Sequence, residues 1–126
     1  MARILIVDDS AVQNRHLSEL LVHAGHQTVI ATTLPQARAA ADNVHVDLSL
    51  VELLLMRSNG FEIAPVLAEL TAAPVALMLS RAVEADRLWA QAQGITHLIR
   101  RPCSATRWRS IVTRLLGSSA RSCNEG

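Results

Sequence analysis

The chain contains no Lys and no Tyr, and its 126 residues carry only three aromatic rings, Phe61, Trp89 and Trp108. So sparse an aromatic set provides no surface on which bases could stack. All 12 basic residues are Arg, and 11 acidic residues balance them to a net charge of +1. That balance leaves no electrostatic footprint for nucleic acid or an anionic membrane. There are only two cysteines, Cys103 and Cys123, without CxxC or metal-ligand spacing, and they read as reduced thiols. Apolar runs are short, far below the roughly 20 residues a membrane span needs. Met1-Ala2-Arg3 leads directly into Ile4 to Val7 and then into two carboxylates, too short and too quickly charged for a signal peptide. These absences predict a cytoplasmic chain with no membrane contact.

Hydrophobic residues make up 50% of the chain and charged residues 18%, a composition that builds one core without disulfide or metal staples. Short apolar runs alternate with helical patterns from end to end. Ile4 to Val7 is continuous, as in a strand covered on both faces. Asp9 or Ser10 can cap a helix over Ala11 to His23, and Gly25 fits the left-handed position that ends helices. Gln27 to Ala31 reads as a second strand, and Thr33 caps an Ala-rich helix with Pro35 in its first turn. Asp47 to Glu52 is a third strand, followed by an Asn59-Gly60 turn and a helix over Phe61 to Leu70 that contains Pro65. Val75 to Leu79 follows Pro74 as a fourth strand, Glu84 to Gln93 is a helix stopped by Gly94, Thr96 to Ile99 is a fifth strand, and the last helix runs from Ser104 to Leu116. Five βα units without repeats or long linkers predict an α/β domain, a doubly wound five-stranded parallel sheet with five helices. The domain is expected over residues 1–117, with 118–126 a flexible tail or the start of a linker.

In doubly wound sheets ligands bind beyond the carboxyl ends of the strands. Asp8 and Asp9 follow the first strand, Glu52 ends the third, Ser80 follows the fourth, and Arg100-Arg101-Pro102 follow the fifth. Carboxylates gathered at one edge suit Mg²⁺, which takes one or two of them together with waters and phosphate oxygens. Each residue also has an ordinary reading. An Asp pair after a strand can simply cap the next helix, Glu52 can be a surface carboxylate, and an Arg before Pro is usually solvated. Their joint placement at successive strand ends favours a site.

The run Ile4-Leu5-Ile6-Val7-Asp8-Asp9-Ser10 resembles the opening of a response-regulator receiver domain of the CheY-like superfamily. Asp47 to Met56 with Asn59-Gly60-Phe61-Glu62 is similar to that family's phosphoacceptor strand and loop, Pro74 to Ser80 to its fourth strand, and Gly94 to Pro102 to its fifth strand and Lys-Pro turn. The resemblance spans residues 3–116 and implies a flavodoxin-like strand order 2-1-3-4-5. It also implies Mg²⁺ on the acidic pair, phosphoryl transfer from a histidine kinase to an Asp ending the third strand, and a Ser or Thr and a Lys that bind the phosphoryl group. Carried over, Asp8 and Asp9 match the pair, while Glu52 stands at the phosphoacceptor position and Arg101 at the Lys position. Leu98 stands at a switch aromatic and Met56 at a common Pro. Counting from Pro74 puts Leu79 at the hydroxyl position, so Ser80 serves only after a one-residue adjustment at the strand end.

These departures alter the chemistry. The extra methylene of Glu moves the carboxylate by about one bond length, and misplacements near 1 Å can cost about 100-fold in rate. The longer side chain reaches toward Arg101, whose planar fork suits a carboxylate better than Lys does. The expectation is an atypical receiver, or pseudo-receiver, without phosphorylation switching. It binds Mg²⁺ through Asp8, Asp9 and Glu52 weakly or not at all and is no enzyme beyond residual phosphotransfer. Such a module acts on an output domain or partner signalling protein, or as a homodimer, through the helix 4–strand 5–helix 5 face, with Trp89, Leu98 and Trp108 as candidate interface residues. A conventional phosphoryl-accepting regulator is the alternative. A metal- or nucleotide-binding flavodoxin-like enzyme finds less support, because no GxGxxG, GxxxxGK[ST] or GxSxG accompanies the carboxylates.

Overall fold

The structure is a computed structural model that describes residues 1–79, 89–91 and 97–125, with side chains through residue 117. Five strands, β1 (Arg3–Val7), β2 (Gln27–Ala31), β3 (Leu48–Glu52), β4 (Val75–Leu79) and β5 (His97–Arg100), form one sheet in the order β2-β1-β3-β4-β5. Every pairing is parallel. The helices are α1 (Ala11–His23), α2 (Leu34–Asn43), α3 (Gly60–Thr71), the helical residues 89–91 (α4) and α5 (Ala105–Glu125). This is the doubly wound α/β architecture expected from the alternation of strand and helix patterns. The Glu84 to Gln93 helix lies mostly outside the described residues, as do Gly94, Thr96 and Ser80.

Side-chain alternation divides the core in two. Ile4, Ile6, Leu48, Leu50, Ala76, Met78 and Ile99 face α1 and α5, where they pack on Leu17, Leu21, Trp108 and Val112. Leu5, Val7, Val51, Leu53, Leu77 and Leu79 face α2 and α3, where they meet Ala37, Ile63 and Leu67. A strand buried on both faces has no polar side to spare, which is why these runs are continuous rather than alternating.

The local signals act at their expected places. Ser10 is the N-cap of α1, its Oγ accepting from the Gln13 N–H at 3.3 Å, and Gly25 takes φ +96° just past the helix. Thr33 and Asn59 cap α2 and α3 in the same way. Pro65 lies inside α3, which continues through it to Thr71 and closes on Ala72 in the left-handed region at φ 54°. The last helix departs from expectation: its backbone continues to Glu125, beyond the predicted end near Leu116. Gly117 costs a helix interior about 1 kcal/mol relative to Ala but does not stop it, and no Pro follows.

Candidate functional site

The same alternation that sorts the core sends three ionisable side chains to one place. Asp8 continues the series of Ile4 and Ile6, Glu52 that of Leu48 and Leu50, and Arg101 that of Ile99, so all three leave the sheet on the α1/α5 side beyond its carboxyl edge. There Arg101 Nη2 donates to Asp8 Oδ2 at 2.7 Å and also to Glu52 Oε2, forming two ion pairs through one nitrogen. Arg101 Nη1 reaches Gln13 Oε1 on α1 at 3.3 Å. The knot is sealed from solvent: side-chain exposure is 7% for Arg101, 3% for Asp8 and 5% for Glu52. Burial alone would lower the guanidinium pKa, but the hydrogen bonds and charges of Asp8 and Glu52 outweigh it and raise the pKa above its ordinary value.

The remaining donors lock the carboxylates further. Asp8 Oδ1 accepts from the Ser10 N–H at 3.0 Å, and the buried Asn14 amide donates to the Asp8 carbonyl at 2.7 Å. Asp9 turns away from the knot, and its Oδ2 accepts from the Met56 N–H at 2.6 Å, tying β1 to the loop after β3. Helix capping by the acidic pair, one of the ordinary readings, is therefore taken over by Ser10, with Asp8 bracing Ser10. Gln13 and Asn14 escaped the sequence reading. Their signal was their place in the first turn after Ser10, where a side chain faces back over the strand end.

The other expected site residues divide. Leu79, which counting places at the hydroxyl position, is 3% exposed in the α2/α3-side core and does not face the carboxylates. Ser80 lies outside the described residues. Leu98 is half-buried and packs against that same core. Trp89 is 54% exposed and meets Phe61 edge to face, with ring centroids 6.1 Å apart. Trp108 corrects the expectation of an interface residue: it is 2% exposed, because its place on α5 is on the stripe with Ile111, Val112 and Leu115 that faces the sheet.

A doubly wound sheet in the order 2-1-3-4-5 with ionisable side chains gathered at its carboxyl edge is the flavodoxin-like class of α/β domain, with the strand order reversing beside β1. The family model of the response regulator receiver domain matches residues 4–113. The chain belongs to that family. It is 33% identical to Protein PilH of Pseudomonas aeruginosa over 105 residues, covering 81% of this chain and 87% of PilH. It is 30% identical to the transcriptional regulatory protein CpxR of Klebsiella pneumoniae over 115 residues, spanning 91% of this chain but only 48% of CpxR. Among solved structures, the CheY-like receiver domain protein of Methanospirillum hungatei superposes with a TM-score of 0.88 at 20% identity, covering 97% of this chain and 98% of that one. The receiver domain of a histidine kinase from Syntrophus aciditrophicus gives 0.83 at 27%, covering 94% and 92%.

The family implies a divalent cation at the acidic edge. The residues present do not fit one, because a guanidinium already lies between Asp8 and Glu52 while Asp9 is directed to the Met56 N–H. Among the described residues no group of three or more His, Cys, Asp or Glu side chains is disposed to hold a metal ion. Two carboxylates share one guanidinium, which formally matches one of their two negative charges. Among the described residues no helix is long and apolar enough to cross a membrane.

Proposed function

We propose that this chain is a receiver module that is not switched by aspartyl phosphorylation and acts in the cytoplasm through protein contacts, on an output domain or a partner signalling protein. The observation that carries the reading is the buried pairing of Glu52 with Arg101. A receiver's phosphoryl group needs a nucleophilic oxygen aligned with its donor and a cation ready for the incoming charge. Here the carboxylate ending β3 is already held by the guanidinium, which commits both the nucleophile and the cation that would receive a phosphoryl group. Without a phosphoryl group to gain or lose, the module's information lies in what it touches. The half-exposed Trp89 and the exposed arginines of α5, Arg107, Arg109 and Arg114, are of the residue types that dominate binding energy, and they support the helix 4–strand 5–helix 5 face as the docking surface of this reading. A homodimer or an output domain would dock there.

The test is intact mass after incubation with acetyl phosphate and Mg²⁺, for the wild-type chain beside a Glu52→Asp/Arg101→Lys double variant. The wild type is expected to gain no phosphoryl group and the double variant to gain one. Uptake by the wild-type chain overturns the reading and makes the protein a conventional phosphoswitch with a modified site.

A further inference from the structure

We infer that the outer face of α5 docks an acidic helix of a partner protein, one whose carboxylates repeat every seventh residue, and rejects a second copy of this chain. The inference rests on the proposed reading of this face as a docking surface and adds the chemistry of its occupant.

The face is set by how α5 lies on the sheet. Trp108, Ile111, Val112 and Leu115 are buried against it. At about 100° per residue, the side turned away from that stripe carries Thr106, Ser110, Thr113 and Gly117. Thr106, Ser110 and Thr113 are exposed, and a Cβ at Gly117 would meet nothing within 4 Å. These residues stand four, three and four apart, the spacing of the seam along which two helices pair. Arg107 and Arg114 flank the row on one side, seven residues and so about 10 Å apart, and Arg109 flanks it on the other. The backbone continues the same register to position 121, again Arg. Arg107, Arg109 and Arg114 are exposed, and among the described residues none of them is paired with a carboxylate.

Charges beside a helical seam decide which helix it accepts. No Asp or Glu falls between Arg87 and Asn124, so a second copy laid along this helix would set arginine against arginine. A helix with Glu or Asp at the same spacing meets those arginines with opposite charge. The floor of Thr, Ser and Gly lets another backbone come close but buries little apolar surface. Affinity therefore comes mainly from charge, and the contact is transient and weakened by salt. A nucleic acid fits less well. The whole chain carries a net charge of only +1, and Trp108, the one ring on α5, is 2% exposed and offers no base a stacking surface.

The test uses the whole chain and two synthetic helical peptides of identical composition. One carries Glu in rows of seven-residue spacing beside its seam, and the other carries the same Glu residues on its far side. Shifts of the backbone amide signals of residues 105–117 report binding. The first peptide is expected to bind the wild type about 10-fold more tightly than the second, with the difference lost at high salt. Arg107→Glu/Arg114→Glu is expected to weaken it about 10-fold or more, and Arg57→Glu, an exposed site on the loop after β3, to leave it unchanged. All these positions are exposed, so the variants keep the fold. Equal affinity for the two peptides overturns the inference, as does full binding by the double variant. A DNA duplex that shifts the same amides at lower concentration than the peptide also overturns it, making the face a nucleic-acid surface. Sedimentation supplies the last arm: a wild-type dimer that the double variant dissolves makes the face a self-contact and overturns the inference, whereas a wild-type monomer is the expected result. The two readings fail separately. Phosphoryl uptake by the wild type sinks the proposed switch-free module and leaves peptide selectivity standing, while loss of selectivity without uptake sinks only the acidic-helix assignment.

Discussion

At the scale of single residues, the chain buries few polar groups, and each does something different. Asp8 and Glu52 share the guanidinium of Arg101, and Asn14 donates to the Asp8 carbonyl. Ser49 is the exception. It lies in the middle of β3 at 0% exposure, and its hydroxyl has no partner among the described residues. A buried hydroxyl that has lost water without gaining a partner costs about 1–3 kcal/mol. Ser49→Ala is therefore expected to stabilise the fold, by about 1 kcal/mol once the small loss of packing is counted. Urea unfolding at neutral pH checks this, through a rise in midpoint at unchanged slope. The residues at the carboxyl edge obey a different logic. A buried pair broken by removing one partner typically costs about 3–5 kcal/mol, because the survivor is left charged and dry. The same residue type is thus nearly irrelevant at Arg100, which faces solvent, and structural at Arg101 one position later.

At the scale of elements, the approach of α3 to β3 and β4 holds Glu52 in place from behind. The Gly60 N–H donates to the Leu53 carbonyl at 2.8 Å, and Leu54 and Asn59 form an isolated antiparallel bridge around the turn. A Cβ at Gly60 would sit 2.5 Å from Leu77 Cδ2 and 2.9 Å from the Glu52 carbonyl oxygen. The leucine end could turn aside, but the backbone oxygen could not without shifting the strand end that carries the carboxylate. Gly60→Ala is therefore expected to destabilise by about 1–3 kcal/mol, as overpacking does. It should also move the amide signals of residues 52–54, which a two-dimensional NMR spectrum would show. An unchanged midpoint with unchanged shifts would mean that this contact relaxes at no cost. The turn residues Asn59-Gly60 signalled a helix start in the sequence. That the Gly serves close packing against Leu77 and Glu52 depended on the neighbouring strand.

At the scale of the whole molecule, the two ends of the sheet differ in character. The carboxyl edge holds the charge knot, and the opposite edge holds a histidine. His26 Nδ1 accepts the Ala2 N–H at 3.3 Å, where β1 begins beside β2. Burial first, and the nearby chain-terminal ammonium second, lower the His26 pKa below its ordinary 6.5. The unfolded chain then binds this proton more readily than the folded one. Stability is fully present above pH 6.5 and falls as the pH drops through that value toward the lowered folded pKa. Denaturant unfolding at neutral and mildly acidic pH should show this loss, and His26→Gln should reduce it. An identical pH slope in the variant would assign the loss to other groups. The receiver assignment also belongs to this scale, since the chain spans most of PilH but about half of CpxR, and the family match covers nearly all of the described sheet and helices.

Periodicity, turn residues and caps by themselves determined the strands, their helical partners and the doubly wound class, because each is a local preference of a few neighbouring residues. Ser10, Gly25, Thr33 and Asn59 lie where those preferences put them. The positions of Asp8, Glu52 and Arg101 at strand ends were legible for the same reason, and alternation within each strand sets their common side. Their joining into one knot was decided only by the tertiary structure. Arg101 finds Asp8 and Glu52 across separations of 93 and 49 residues, which no local preference encodes. So too with the fates of Asp9, Gln13 and Trp108. Asp9 is directed to the Met56 N–H, Gln13 steadies the fork, and Trp108 turns inward with α5, each because of what another element brought beside it. Local sequence sets which residues stand at an edge. Packing of distant segments sets which of them meet, because only there are charges taken out of water and forced to find a partner.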